Sequence, residues 1–355
     1  MSLHSLLEKE IHWSARNALV LVFLLLLLPA FFAGTSLLFQ DVIPRDVPVA
    51  VTPADDSVNE TEMEIVEGGI ASFSDPVRAE SLEVGREMLE RESVYAVVEV
   101  PANVTNPEAT VEFHFVVDGA IVPFLSPSEV IGGLLESELD AIFEADVSAE
   151  REVVGEEKSL PEYLFPSFLM TLIIFFAFTY VPYNLKNESA VLDRLRVEAS
   201  LESLVTAKLL FFTTLLVVPI GVFHGAALYY GYAIDTVNPW ALGLLVLTFL
   251  FLSTVSVTVM VLSRFSGSGQ FVNLVLLLGL VGFSGLVFPR GFFSPLRTTI
   301  IELLPTHYAM VAIRSLMLKG SEIALFSEWV LGLVGLQLLA IGALKGAIIY
   351  YRRSS

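Results

Sequence analysis

Six apolar runs, each near the length that crosses a bilayer, leave this chain few ways to fold: Ala18 to Phe39, Leu164 to Tyr183, Leu209 to Tyr230, Ala241 to Leu262, Phe271 to Phe288 and Trp329 to Tyr351. A hydrocarbon core of about 30 Å takes about 20 helical residues, and within it each backbone amide must be satisfied inside its own segment. The expected class is an α-helical polytopic membrane protein with six transmembrane helices. A mean hydropathy of +0.71 agrees. The first span, residues 18–39, contains Pro29 and Gly34, which favour a kink. Its apolar character runs on through Phe39 without a small-residue cleavage site, so a retained anchor is expected rather than a cleaved signal.

The net charge of −19 is not spread evenly. Residues 41–158 hold 28 of the 39 acidic and 6 of the 20 basic side chains, and the remainder of the chain is slightly positive. One water-facing block therefore carries the acidity, an arrangement that does not suit nucleic acid. Within residues 40–162, β-branched runs at Val47 to Thr52, Val94 to Val100 and Val111 to Val117 read as strands. Apolar residues at helical spacing, such as Val130, Leu134, Leu135 and Leu139, mark helices over Pro76 to Glu92 and Pro127 to Asp146. An α/β domain inserted between the first and second spans is expected. It holds the sequons Asn59-Glu-Thr61 and Asn103-Val-Thr105; a third, Asn187-Glu-Ser189, lies elsewhere.

Residues 1–17 place Leu3, Leu6, Leu7 and Ile11 on one helical face, which suits an interfacial helix, with a solvated tail as the alternative. The remaining segment, residues 163–355, carries the other five spans. Residues 289–327 are too polar to cross simply and too apolar for a free loop, so they are expected to enter the membrane and return. Counting Lys and Arg in short loops sets the orientation. With the N-terminus inside, ten fall on the inner face: Lys9, Arg16, Lys186, Arg194, Arg196, Lys208, Arg264, Lys345, Arg352 and Arg353. Four fall outside: Arg290, Arg297, Arg314 and Lys319. Both termini are then cytoplasmic and the acidic domain is extracytoplasmic.

Little in the spans can do chemistry. His224 reads as a ring bonded to a neighbouring turn or as a proton carrier, and the spans offer it no carboxylate. There is no cysteine. His4, His12, His114, His224 and His307 lack metal-ligand spacing. The chain has no G-x-x-x-x-G-K-[ST] phosphate loop, and Ser266-Gly-Ser-Gly-Gln270 is a polar turn without a nucleotide-binding fold around it. Gly221-x-x-x-Gly225, Gly342-x-x-x-Gly346 and the series Gly279, Gly282, Gly285 allow close helix packing, within one subunit or across a dimer. Polar residues able to face a dimer cavity are Thr171, Thr179, Ser253, Ser256, Asn273 and Gln337. These groups can equally bond a nearby backbone carbonyl.

The charged segment at residues 184–208 is the most informative. Val191, Leu192 and Leu195 form an apolar stripe beside Glu188, Asp193, Arg194 and Arg196. Ser200 is placed to cap a second short helix bearing Leu201, Leu204 and Val205. Two amphipathic helices of this kind would lie under the membrane and present charge to a soluble partner, or the segment is a solvated loop.

In this order the motifs resemble the membrane subunits of type-2 ABC transporters, in particular the NatB-like branch with a large external domain between the first two of six spans. Leu7-Glu-Lys-Glu-Ile11 is similar to the family's N-terminal helix, and Val94-Tyr-Ala-Val-Val-Glu-Val-Pro101 to a strand of its external domain. Glu188, Leu192, Arg194, Leu195, Ala207 and Lys208 match its cytoplasmic segment. Ser189-Ala190 stands where glycine-threonine is common, and Glu198-Ala-Ser200 lacks the usual proline. Gly285-Leu-Val-Phe-Pro289, Leu304-Pro-Thr-His-Tyr308 and Ala312-Ile-Arg314 are similar to its last re-entrant region, with Pro289, Pro305, His307 and Arg314 the marked positions.

The resemblance implies a permease subunit of an ATP-driven exporter in the plasma membrane, not itself an enzyme. It implies a second permease subunit, identical or paralogous, and two ATP-binding subunits. ATP and Mg2+ would be held by those partners, and this chain would bind no cofactor. Glu188, Leu192, Arg194, Leu195 and Lys208, with Lys9 and Glu10 of the N-terminal helix, are then the ATPase-coupling residues. The family spans substrates from ions to peptides and lipids, and the apolar spans lean toward amphipathic ones. The alternatives are a membrane-anchored sensor or envelope assembly factor working without an ATPase, and an ion-coupled carrier, which the charge-poor spans disfavour.

Overall fold

The computed structural model describes residues 3–16, 18, 22, 25–26, 47–55, 57–72, 74–102, 104–106, 110–125, 128, 133, 146–287, 289–290 and 295–354. Helix α1 (Leu3–Arg16) comes first, in agreement with the expected N-terminal helix. Most of the proposed first span and of the helix expected over Pro127 to Asp146 lies outside the described residues.

A five-stranded sheet follows: β1 (Pro48–Pro53), α2 (Glu60–Ile70), β2 (Asp75–Arg78), α3 (Leu82–Glu90), β3 (Ala96–Val100), β4 (Thr110–Asp118) and β5 (Asp146–Val154). The strand order is β2-β1-β3-β4-β5. β1 runs parallel to β2 and β3, β3 pairs antiparallel with β4, and β4 is parallel to β5. Because successive side chains on a strand point to opposite faces, each strand serves two cores. Val49 and Val51 pack with Met63, Val66 and Ile70 of α2 on one face. Ala50 and Val97 pack with Leu89 of α3 on the other.

Local sequence starts both helices. Asn59 Oδ1 accepts from the Glu62 amide at 3.0 Å while Glu62 Oε2 accepts from the Asn59 amide at 3.0 Å, a reciprocal capping box. Ser81 Oγ accepts from the Val84 amide at 3.3 Å and opens α3. The span expected to be helical from Pro76 to Glu92 is thus divided: β2 takes residues 75–78 and the helix begins only after the Ser81 cap.

The rest of the chain is helical. α4 (Leu160–Phe175) passes through a π-helical turn (Phe176–Tyr180) into α5 (Val181–Glu198). Then come α6 (Leu201–Leu215), α7 (Val217–Tyr230), α8 (Pro239–Leu262) and α9 (Gly267–Phe283). The series ends with α10 (Pro295–Glu302), α11 (Pro305–Leu318), a short 3-10 turn (Ile323–Phe326) and α12 (Ser327–Ser354). Four stretches among the described residues are long and apolar enough to cross a membrane: Leu160–Ser189, Leu201–Tyr230, Pro239–Leu262 and Ile323–Arg353. Gly267–Phe283 is apolar but shorter.

The Leu160–Ser189 stretch is the most interior of the four. Its π turn, where one helical turn takes an extra residue, sits in an aromatic cluster. Phe176 stacks on Tyr180 and Phe249, each with ring centroids 5.4 Å apart, and meets Phe212 edge-on at 5.8 Å.

One expectation changes. The charged segment is not a pair of separate short helices, because α5 continues α4 through the π turn and α6 runs on from its cap to Leu215. The chain bends only at Ala199 and Ser200, where Ser200 Oγ accepts from the Ser203 amide at 3.1 Å and starts α6 as expected. The described part of residues 289–327 holds α10 and α11, and α11 is buried from Thr306 to Leu318 apart from the half-buried Tyr308.

Gly85 measures how closely α3 lies on the sheet: a Cβ there would stand 2.8 Å from Val97 Cγ1. Overpacking of this kind costs about 1–3 kcal/mol, more than the roughly 0.5–1 kcal/mol a helical Gly→Ala change returns. Gly85→Ala is therefore expected to lower the melting temperature of the purified chain, and adding Val97→Ala to recover part of the loss. A higher melting temperature for Gly85→Ala alone would mean that β3 yields without strain.

Candidate functional site

Two clusters of buried charge lie toward opposite ends of the continuous α4–α5 helix. Ser167 and Glu188 mark them, separated by about 30 Å at the helical rise of roughly 1.5 Å per residue.

The first joins α1 to the α5–α6 corner. Asn184 and Glu188, one helical turn apart on α5, face Lys208 of α6 and Lys9 and Glu10 of α1. Lys208 Nζ donates to Glu10 Oε2 at 2.9 Å and to Asn184 Oδ1 at 2.5 Å, and also pairs with Glu188. Two hydrogen bonds and one ion pair thus surround the ammonium group. Lys9 bridges Glu10 at 2.9 Å and bonds Glu188. Glu10 and Glu188 are each 1% exposed, Lys208 2% and Asn184 0%. Two ammonium groups and two carboxylates balance to zero, the condition under which burial of charge is tolerated. Burial alone would push the Lys9 ammonium down, but Glu10 and Glu188 outweigh it and hold Lys9 above the ordinary lysine range. At the same end Arg352 of α12 pairs with Glu202 of α6.

Of the residues the sequence singles out for coupling, the structure thus brings together Lys9, Glu10, Glu188 and Lys208. It buries the last three, so they do not present their charge to a partner. The side chains of Leu192, Arg194 and Leu195 lie outside the described residues, although their backbone is helical. Asn184 marks only the start of the charged segment in the sequence; its spacing of four from Glu188 was the available signal.

The second cluster joins the sheet domain to α11. Arg314 of α11 is 1% exposed and Glu92, just after α3, 2%. Arg314 Nη1 donates to the two carboxylate oxygens of Glu92 at 2.9 and 2.7 Å. Its Nη2 donates to Leu286 O at 2.8 Å and Ser167 Oγ at 3.2 Å, and the guanidinium lies 4.4 Å from the centroid of the Tyr163 ring. Glu92 has a φ of 51°, a left-handed backbone position that turns the chain out of α3 toward β3.

The carbonyl end of α3, where the helix dipole is negative, receives further donors from this region. Ser315 Oγ donates to Glu90 O at 2.7 Å, Lys319 Nζ to Leu89 O at 3.2 Å and Glu90 O at 3.3 Å, and Arg290 Nη2 to Ser93 O at 3.2 Å. Lys319 also pairs with Asp118 at the end of β4, at 2.6 Å. Sequence reasoning marks Arg314 but misses Glu92, since in a block so rich in acid no spacing separates it from the rest.

The other marked positions of this region sit close by. Pro289 is buried, Pro305 opens α11 in the first-turn position where its missing amide costs nothing, and His307 is 6% exposed with its ring 5.2 Å from that of Tyr308.

The polar residues considered for a pathway are mostly inside the protomer. Ser253, Ser256 and Asn273 are fully buried and Thr171 nearly so. Thr171 donates to Ser167 O at 2.8 Å, Thr179 to Phe175 O at 2.6 Å, and Asn273 Nδ2 to Gly269 O at 2.9 Å. Gln337 Nε2 reaches Thr254 Oγ1 at 3.4 Å. These bonds tie helices to themselves or to a neighbour rather than lining an open surface. His224 bonds Thr236 Oγ1 at 2.7 Å, which favours the structural of its two readings.

A family model described as ABC-2 family transporter protein matches residues 19–344. No curated protein and no solved structure matches the chain.

Arg314→Met would leave Glu92 as a buried carboxylate without its partner, at a cost of about 3–5 kcal/mol. Thermal unfolding in detergent is expected to show that loss, and the pair Glu92→Asn and Arg314→Met to cost clearly less than the two single changes summed. Strict additivity would mean that the two side chains do not act together.

Proposed function

Because the chain belongs to the ABC-2 transporter family and is a helical membrane protein of permease type, we propose that it is the pathway-forming subunit of an ATP-driven exporter. It would work as a dimer with two separate ATP-binding subunits, in the NatB-like arrangement of six spans. In this reading residues 18–39 form the first span, the termini and the α5–α6 corner face the cytoplasm, and the sheet domain lies outside, in the plasma membrane.

The observation that carries the reading is the buried cluster of Lys9, Glu10, Glu188 and Lys208. It fastens the N-terminal helix to the corner that joins two long apolar helices, while His4, Glu8, Lys186 and Asn187 remain exposed beside it. A push from a soluble partner on either surface would move α1, α5 and α6 together, because separating them would strand charge in a dry site. Glu10, Glu188 and Lys208 are then transmitting residues, and docking falls to the exposed neighbours, with Leu192, Arg194 and Leu195 as further candidates. Rigid-body displacement of this kind is a common means of switching between states. The bond between Arg314 and Glu92 would carry the movement of the helices onward to the sheet domain.

Reconstitution with the ATP-binding subunits tests the proposal. Glu188→Gln and Lys208→Met are expected to reduce substrate-stimulated ATP hydrolysis by about tenfold, a coupling loss on the order of 1.4 kcal/mol. Membrane insertion should be unchanged, and because Lys208→Met leaves Glu10 and Glu188 short of a cation and is expected to melt lower, stimulation is compared at matched amounts of assembled complex. Full stimulation in both variants would remove the cluster from the coupling route.

A further inference from the structure

A cleft of about 360 Å³ opens between α8, α11 and α12. Its volume lies within the range of about 300–1,000 Å³ usual for small-molecule sites. Leu244, Ala309, Ala312, Leu333 and Leu336 form its apolar part. Two aromatic rings line it beside the exposed Glu328, Tyr308 and Trp329, with centroids 5.1 Å apart and planes at 61°, and Phe326 supports Trp329 at 5.3 Å. Glu328 stands beside them in the first turn of α12, exposed and without an ion-pair partner among the described residues.

The charge of the lining is single-signed. Among the described residues Glu328 is the one carboxylate of the wall, and no Lys, Arg or His lines the cleft. An anionic head would meet repulsion from Glu328, and the cation nearest Tyr308, Arg290, lies outside the lining and is already paired with Glu302. A positive head would meet both the carboxylate and the electron-rich faces of Tyr308 and Trp329, the combination by which proteins recognise quaternary ammonium groups. The apolar part behind the rings then accommodates an alkyl chain.

We propose that this cleft binds a cationic amphiphile, an alkylammonium with a single chain, its head against Glu328, Tyr308 and Trp329 and its tail along Leu244, Leu333 and Leu336. The site names a ligand class for the permease proposed above and rests on that reading for its transport meaning, although not for binding itself. Placement of the mouth near the membrane surface follows from Glu328 standing at the start of the Ile323–Arg353 stretch. Gly332 of α12 also faces the cleft, and a Cβ built on it meets nothing within 4 Å, so the wall there has room for a larger side chain.

The test is equilibrium binding of radiolabelled decyltrimethylammonium to the full chain in phosphatidylcholine nanodiscs, without any ATP-binding subunit. Saturable binding is expected, with decyl sulfate and decyl maltoside competing poorly. Glu328→Gln and Trp329→Leu should each weaken it by about tenfold through loss of the charge and ring contacts. Gly332→Phe, which fills the cleft without touching the charge, should abolish it, while each variant elutes and melts like the parent chain. Absence of saturable binding, as when phosphatidylcholine or a second copy of the chain already fills the cleft, overturns the proposal. So does equal competition by the uncharged or anionic analogue, or unchanged affinity in Glu328→Gln and Gly332→Phe. Since no ATPase is present, failure of coupling in the reconstituted complex leaves this result unaffected, and the reverse also holds.

Discussion

Lys208 is held by Glu10, Glu188 and Asn184 at a place that excludes water, and the arrangement of the helices depends on that bond set. An ammonium group buried without partners would cost several kcal/mol. Here the three acceptors come from two other helices, so α1, α5 and α6 cannot part without exposing or stranding charge. The Arg314 guanidinium plays the corresponding part toward the sheet domain, where Glu92, Ser167 and Leu286 come from three separate segments. Between the two clusters runs one helix, interrupted only by a π turn that aromatic rings enclose. A long, buried and laterally packed helix with ionic fastenings near each end is stiff along its axis, which suits the passage of displacement from one end to the other.

The sheet domain is tied to the helices by the ends of its elements rather than by a face. The C-terminal carbonyls of α3, the turn at Glu92 and Asp118 at the end of β4 all meet side chains of α11, of the chain just after it, or Arg290. Basic donors at a helix C-terminus are electrostatically favoured, so the join uses a property that α3 has irrespective of its sequence. The domain keeps cores of its own on the two sides of its sheet, which the α/β pattern requires.

Much of the architecture was legible in the sequence because apolar length and β-branched runs report local structure directly. β1, β3 and β4 fall where Val-rich segments place them, and the Ser200 cap is where its hydroxyl side chain suggests. β5 was missed because DVSAEREVV carries charge through its length, as an outer strand of a sheet does, and so lacks the apolar run that marks a central strand. Helix α2 was missed because its glutamates dilute the Met63, Val66, Ile70 face. The buried charges Glu10, Glu188 and Lys208 were legible by type but not by burial. Charge in a short loop normally faces water, and only tertiary contact distinguishes Glu188, which is enclosed, from Lys186, which is exposed. Glu92 and the single-signed cleft beside Trp329 depend on partners more than a hundred residues away or on three helices meeting, which no local pattern records.

On the proposed reading, α1 and the α5–α6 corner move as one body when the ATP-binding subunits close. The absence of cysteine makes site-directed spin labelling direct. Labels at the exposed positions His4 and Asn187 report their separation in the assembled transporter, with and without nucleotide trapped in the ATP-binding subunits. The account predicts an unchanged distance between His4 and Asn187 within a protomer, while the distance between the two Asn187 labels across the dimer shifts. Separation of His4 from Asn187 on trapping would contradict it.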